Sequence, residues 1–242
     1  MVFFILVAIV AAFAGGIASV AGFGIGSLLT PLLTARYDMR TAVALVAIPH
    51  FIATALRLWT LRQYVDRRVL LGFGSMNAAG SLAGALMHTR LNSAILTIVL
   101  AILLIFVGIM GVLGRASRVR FGKAEAWAAG IVSGAFGGLV GNQGGIRSAA
   151  MLGFGLNGAA FVATATAIAI VVDLVRMPVY FTTESARIFQ AWPVVATAIV
   201  GVVAGTIAGA RLLKRIPEKR FRFILSAILL VVGVLLLITT YS

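Results

Sequence analysis

Arg147 stands two residues after the pair Gly144-Gly145, at the start of a short apolar stretch inside an otherwise apolar segment. An arginine near mid-membrane costs upward of about 2.5 kcal/mol, so it normally faces a cavity or a partner rather than lipid. A helix starting at the glycines would add unpaired N–H groups and a positive dipole end, both suited to an anion. The guanidinium fork itself matches planar or tetrahedral oxyanions. The competing reading is an arginine that snorkels to the interface or pairs with a carbonyl. Asn142 and Gln143 lie in the same glycine break, where their amides could orient an oxyanion or satisfy freed backbone.

A second glycine break, Gly22-Phe23-Gly24-Ile25-Gly26-Ser27 followed by Pro31, sits near the N-terminus. Together the breaks predict an anion cradle built from Arg147, Asn142, Gln143, Gly144 and Gly145 on one side and Gly24, Gly26 and Ser27 on the other. Ser27 and Thr30 also have a structural reading, as hydroxyls that satisfy backbone. Leu28 occupies the place aligned with Arg147, so the cradle would be asymmetric. Two candidates could couple protons. Asp173 is a carboxylate inside an apolar run, and His50, after Pro49, could titrate near neutral pH. Asp173 could instead form a local ion pair with Arg176, three residues on, near the outer interface. His50 could simply hydrogen-bond a neighbouring helix. Arg57 and Arg176 are secondary charges, with an interfacial anchor as the alternative for Arg57.

These residues need elements that hold them in a bilayer. Of 242 residues, 62% are hydrophobic and 11% charged, whereas soluble domains carry about 45–50% apolar and about 25% charged residues. Mean hydropathy is +1.12. Apolar segments fall near 2–21, 24–35, 41–61, 69–88, 93–113, 124–140, 145–156, 158–181, 188–210 and 223–241. The N-terminal segment reads as a retained membrane segment rather than a leader. The segments 24–35 and 145–156 are too short to cross alone, and each follows a glycine break. His88, Trp59, Trp127, Trp192, Tyr37, Tyr64 and Tyr180 lie near segment ends, as interfacial belts require.

The halves resemble each other. An offset of 119 superposes Gly22 on Gly141, Gly26 on Gly145 and Arg57 on Arg176. An offset of 121 then brings Gly80 and Gly84 onto Gly201 and Gly205, and Arg90 onto Arg211. An ordered set that includes arginines points to duplication, with a first membrane repeat at 1–121 and a second at 122–242. Charge sets the topology. If each broken segment crosses once, basic residues divide nine against nine; if each enters and returns, fourteen share one side against four. The second arrangement predicts both termini outside the cytoplasm. It makes each half a hairpin plus three crossings, so the halves insert upside-down relative to each other. The predicted fold is an all-α integral membrane protein of two inverted repeats, each a glycine-broken helical hairpin plus three transmembrane helices.

Several function classes are excluded. The net charge of +14 comes from short connections between apolar runs, not from a basic-aromatic surface, so nucleic acid is not a partner. There is no cysteine, and the two histidines lack metal-ligand spacing, so neither a metal nor a cofactor is expected. Gly22-x-Gly-x-Gly lacks the preceding strand of a dinucleotide site, and no enzyme constellation is present. The partners expected are a small anion and the bilayer, with a homo-oligomer as an option.

The first-half motif Gly22-Phe23-Gly24-Ile25-Gly26-Ser27 with Pro31-Leu32-Leu33, and the second-half set Gly134, Gly137, Gly138 and Gly141-Asn142-Gln143-Gly144-Gly145, resemble the sulfite exporter TauE/SafE family over essentially the whole chain. Two departures stand in the second half: Ala150 in place of a proline, and Arg147 itself. The resemblance implies export, or in some members uptake, of sulfur-containing anions such as sulfite, sulfonates and sulfoacetate-like compounds. It also implies a bacterial inner-membrane location and coupling to the proton motive force. Two rivals are a cation or metal carrier using Asp173, Glu184 and His50, and a non-transporting membrane scaffold. A reporter fused after Ser242 is expected to read outside the cytoplasm; a cytoplasmic signal would overturn the topology.

Overall fold

The computed structural model describes residues 1–114, 123–156, 158–212 and 218–241, and every regular element among them is helical. The side chains at 115–124 and 210–219, which carry most of two basic clusters, lie outside this description. Ten α-helices follow in order: α1 Val2–Ala21, α2 Ile25–Thr34, α3 Met39–Leu61, α4 Arg67–His88, α5 Ser93–Val112, α6 Lys123–Val140, α7 Gly144–Met151, α8 Gly158–Gln190, α9 Trp192–Leu212 and α10 Glu218–Tyr241. Seven stretches, within or around α1, α3, α4, α5, α8, α9 and α10, are long and apolar enough to cross a membrane. In hydrocarbon the backbone must bond to itself, which the helix does within each segment. The chain is a multi-pass membrane protein.

Both glycine stretches break the helix where the sequence places them. Gly22 (φ 79°) and Gly141 (φ 70°) end α1 and α6 in the left-handed region, which glycine enters without strain. The two ends bond alike: Gly22 N–H donates to Ala18 at 3.0 Å, and Gly141 N–H to Gly137 at 3.1 Å. The short helices then start alike, Leu28 N–H donating to Gly24 at 3.2 Å and Arg147 N–H to Gln143 at 3.0 Å.

Two boundaries differ from expectation. The crossing near 158–181 does not stop there, and α8 runs on to Gln190, so 182–187 is helix and not a connection. The polar residues there are tolerated because Thr182 and Thr183 bond back to Val179, and Glu184 pairs with Arg187 one turn on. The segment near 145–156 is shorter than expected, because α7 passes after Met151 into a 3-10 turn at Leu152–Phe154 and ends at Gly155 (φ 69°).

Small residues set how the helices meet. A Cβ at Gly84 would lie 2.1 Å from the Ala135 carbonyl, and one at Gly80 equally close to that of Ile131. A Cβ at Gly205 would lie 1.8 Å from the Ala12 carbonyl, while Gly209 abuts Gly16. The backbones of α4 and α6, and of α1 and α9, therefore touch directly, as small residues allow in membranes. Both pairs run parallel, since contacts advance together along each. By contrast α3 and α8 are antiparallel, with Thr41 at Glu184, His50 at Asp173 and Arg57 at Thr166. Long helices that alternate across the membrane leave α6 and α8 pointing the same way, and likewise α1 and α3. The short helices α7 and α2 between them run back.

At one end of α3, Asp38 caps the helix by accepting from Arg40 N–H at 3.1 Å and Thr41 N–H at 3.3 Å, and it pairs with Arg187 at 2.7 Å. Burial alone would raise its carboxyl. Hydrogen bonds from Thr41 and Ser93 and the Arg187 charge outweigh burial and hold it below the ordinary value. A carboxyl that titrates lower when folded stabilises the fold above its unfolded pKa, and that contribution is lost as pH falls through the folded value. Asp38→Ala is expected to cost about 1 kcal/mol and to flatten the loss of stability below about pH 4, as read by thermal unfolding in detergent across pH. An unchanged acid limb would refute this role.

Candidate functional site

The two breaks meet at the centre of the molecule. A Cβ at Gly26 would lie 2.3 Å from the Gly141 carbonyl, and one at Gly144 would lie 2.1 Å from Cβ of Phe23. Between them is a cavity of about 20 Å³, lined by Phe23, Gly24, Gly26 and Ser27 of the first break and by Gly141, Asn142, Gln143, Gly144 and Arg147 of the second. His50 from α3 and Arg176 from α8 close it. Seven of the eight residues expected in the cradle converge here. The eighth, Gly145, packs its Cα against Val107 instead.

Arg147 is buried and does two things at once. Its Nη2 donates to the Gly22 carbonyl at 3.2 Å, tying the second break to the first, while Nε and Nη1 have no protein partner. The carbonyl-pairing and cavity-facing readings therefore both hold. Gln143 is similar, its backbone carbonyl accepting from Ser133 Oγ at 3.2 Å while its side-chain Oε1 is buried without a partner. Thr30 Oγ1 is likewise buried without a partner, away from the cavity lining.

Asp173 and Arg176 form the ion pair that their spacing allows, but at the buried centre and not near an interface. Arg176 Nε and Nη2 reach Oδ1 at 2.9 and 2.7 Å. His50 Nδ1 reaches Oδ2 at 2.6 Å, so the two proton-coupling candidates are a single hydrogen-bonded unit. Arg57 is also buried, which removes the interfacial-anchor reading. Its Nε donates to Thr166 Oγ1 at 2.9 Å, and its Nη1 to the Ala18 carbonyl. The repeat partner Arg176 donates Nη1 to Gly137 at 2.6 Å. Ala18 and Gly137 are themselves 119 apart, so the two arginines hold equivalent carbonyls of α1 and α6.

Sequence reasoning missed two residues. Tyr180 and His88, expected at the interface, are buried. Near the broken end of α6, the Gly138 carbonyl accepts from Tyr180 Oη and the Leu139 carbonyl accepts from His88 Nδ1 at 2.7 Å. With Arg176 on Gly137, which also accepts the Gly141 N–H, three successive carbonyls at the end of α6 have side-chain donors. The rings of His88 and Tyr180 pack with centroids 5.0 Å apart. The signal for Tyr180 was its spacing from Asp173 and Arg176, which puts all three on one helical face.

Glu184 belongs to a separate cluster, accepting from Thr41 at 3.0 Å and pairing with Arg187 at 3.4 Å. Asp173, His50 and Glu184 therefore do not converge, and the described residues contain no group of three or more His, Asp or Glu able to hold a metal ion.

The family model for the sulfite exporter TauE/SafE family matches residues 7–236. The chain belongs to that family. No curated protein and no solved structure matches. Membership in TauE/SafE makes the chain a membrane transporter of a sulfite exporter family, and the matched region takes in both glycine breaks.

Tyr180→Phe removes the donor to the buried Gly138 carbonyl. The expected cost is about 1–3 kcal/mol, read as a lower Tm of the purified protein. A Tm equal to that of the unmodified chain would show that this carbonyl does not depend on Tyr180.

Proposed function

We propose that the protein is a secondary transporter that moves a small sulfur-containing anion, such as sulfite, a sulfonate or a sulfoacetate-like compound, out across the bacterial inner membrane. The observation that carries this reading is Arg147, buried at the cavity between the breaks with two N–H-bearing nitrogens left for a ligand. A buried charge persists only if something compensates it, and an oxyanion supplies that compensation in the geometry a guanidinium prefers. Asn142, Gln143 and Ser27 line the same space and offer amides and a hydroxyl to orient the ligand. Among the described residues, the cation-carrier alternative has no cluster of carboxylates to use.

The architecture that serves this function is a pair of inverted repeats, 1–121 and 122–242, with both termini on the non-cytoplasmic side. Three observations support it: the returning short helices, the matched helix ends at Gly22 and Gly141, and the matched carbonyl bonds of Arg57 and Arg176. A site between two hairpins that enter from opposite faces is what alternating access by inverted repeats uses.

Coupling to the proton motive force is assigned to His50 and Asp173. The imidazole faces the cavity while its Nδ1 is held on the carboxylate. A proton gained or lost by this pair changes the charge beside the anion.

In proteoliposomes loaded with sulfite, Arg147→Ala is expected to reduce anion flux by at least about tenfold, equivalent to about 1.4 kcal/mol, while the protein stays monodisperse. Arg147→Lys, which keeps the charge without the fork, should retain part of it. A pH gradient should accelerate flux through the unmodified protein and not through His50→Ala. Unchanged flux in Arg147→Ala would refute the anion site, and equal acceleration in His50→Ala would refute its coupling role.

A further inference from the structure

The seam between α3 and α8 joins the first half of the chain to the second, and different chemistry closes its two ends. At one end Asp38 and Thr41 meet Glu184 and Arg187. Arg187 Nη1 reaches Asp38 Oδ2 at 2.7 Å, Thr41 Oγ1 at 3.0 Å and Glu184 Oε2 at 3.4 Å. Thr41 Oγ1 lies 2.8 Å from the same Asp38 oxygen and 3.0 Å from the same Glu184 oxygen. One guanidinium nitrogen and one hydroxyl therefore hold two carboxylates close together across the seam. At the other end the acceptors are neutral hydroxyls. Thr166 Oγ1 accepts from Arg57 Nε and Thr164 Oγ1 from the Asp66 N–H, each at 2.9 Å.

Solvent reaches the ionic end. The side chains of Arg187 and Asp38 are 56% and 38% exposed, whereas Arg57, Thr164 and Thr166 are buried. Exposed ion pairs are individually weak and are screened by salt, and buried ones much less so. Asp38, Thr41 and Arg187 also line a second cavity, of about 280 Å³, together with Arg36, Tyr37 and Gln190. A short step along each helix leads from this cluster to the central cavity. A Cβ at Gly141, in the wall of that cavity, would lie 3.3 Å from Val43, two residues past Thr41. Tyr180, one turn before Glu184, donates to the Gly138 carbonyl near the same break. The cluster thus closes the seam beside the broken end of α6, between the wide cavity and the small one.

We propose that Asp38, Thr41, Glu184 and Arg187 form an ionic latch that shuts the central cavity on this side, and that access to the cavity opens here when the latch is released. Release leaves α3 and α8 joined at His50–Asp173 and at Arg57–Thr166, so the seam parts at one end. The latch governs access alone and stands whether or not an anion is the ligand. It is also loaded against itself. Without Arg187, the two carboxylates that it holds together repel each other across the seam.

The chain has no cysteine, so Ser27→Cys places a single thiol in the wall of the central cavity. Its rate of reaction with an uncharged maleimide, in the full-length protein in detergent at neutral pH, reads access. Raising salt from about 0.01 M to about 1 M shortens the screening length from about 30 Å to about 3 Å, and should speed the reaction at least about threefold. In the same background, Asp38→Asn keeps a good helix cap but removes the ion pair across the seam. Its rate should be high at low salt and indifferent to salt. Arg187→Gln leaves Asp38 and Glu184 facing each other, so its rate should be high at low salt and fall as salt screens their repulsion. That reversed sign separates a latch from general loosening of the fold. The latch is overturned if the thiol of the Ser27→Cys chain does not react faster in high salt, a result that needs no latch variant to fold. It is overturned equally if salt fails to slow the Arg187→Gln chain. Either result leaves the anion site at Arg147 standing.

Discussion

A helix broken inside a membrane must find new partners for the carbonyls and N–H groups that the break sets free, because lipid offers none. The ends of α1 and α6 at the centre of this molecule gather side-chain donors in answer to that demand. The Ala18 carbonyl at the end of α1 takes Arg57, and at the end of α6 the carbonyls of Gly137, Gly138 and Leu139 take Arg176, Tyr180 and His88. The two guanidiniums sit on Ala18 and Gly137, carbonyls that also accept the Gly22 and Gly141 N–H groups, so they add second bonds at the helix ends and set fixed positive charge in the buried centre. Asp173 follows as the partner that neutralises one of them, and His50 follows as the partner of its second oxygen. Tyr180 and His88 serve the carbonyls that the break frees, while the arginines and Asp173 beside them create the electrostatics of the site.

The second constraint is steric. Glycines let α1 lie on α9 and α4 on α6 with backbone touching backbone, and they let the two breaks meet at Gly26 and Gly141. Close approach matters in lipid, where apolar surface gains little by leaving its surroundings and packing must do more. It also makes the central cavity small, because backbone walls cannot rotate aside as side chains can. In the proposed function, passage of a ligand would require the hairpins to move relative to each other, the kind of motion that exchange between inverted repeats supplies.

The two halves are alike in scaffold and different in chemistry. Helix ends, glycine conformations and the arginine–carbonyl bonds recur at a constant offset. At the tip of the short helix, however, the second half has Arg147 where the first has Leu28, and around the break it has three carbonyl donors where the first has Arg57 on Ala18. The two halves share a frame, and in the proposed function the second carries the charge that would favour an anion.

The sequence alone was enough for the membrane class, the two breaks and most of the residues that meet between them, because each is a one-dimensional signal. Apolar length dictates crossings, glycine density dictates breaks, and an arginine in an apolar run needs a partner wherever the chain folds. The family resemblance read from the glycine motifs was likewise legible, since those motifs are short and local. What the tertiary structure decided were relations between distant residues. It brought His50 onto Asp173 across 123 positions, buried Arg57, Tyr180 and His88 where their places near segment ends suggested an interface, and turned Gly145 toward Val107 and away from the cavity. It also carried α8 to Gln190 past residues that looked like a connection. The physical reason is common to these cases. A polar residue in a membrane protein goes where a freed backbone group or an opposite charge awaits it, and that partner is set by which helices lie side by side.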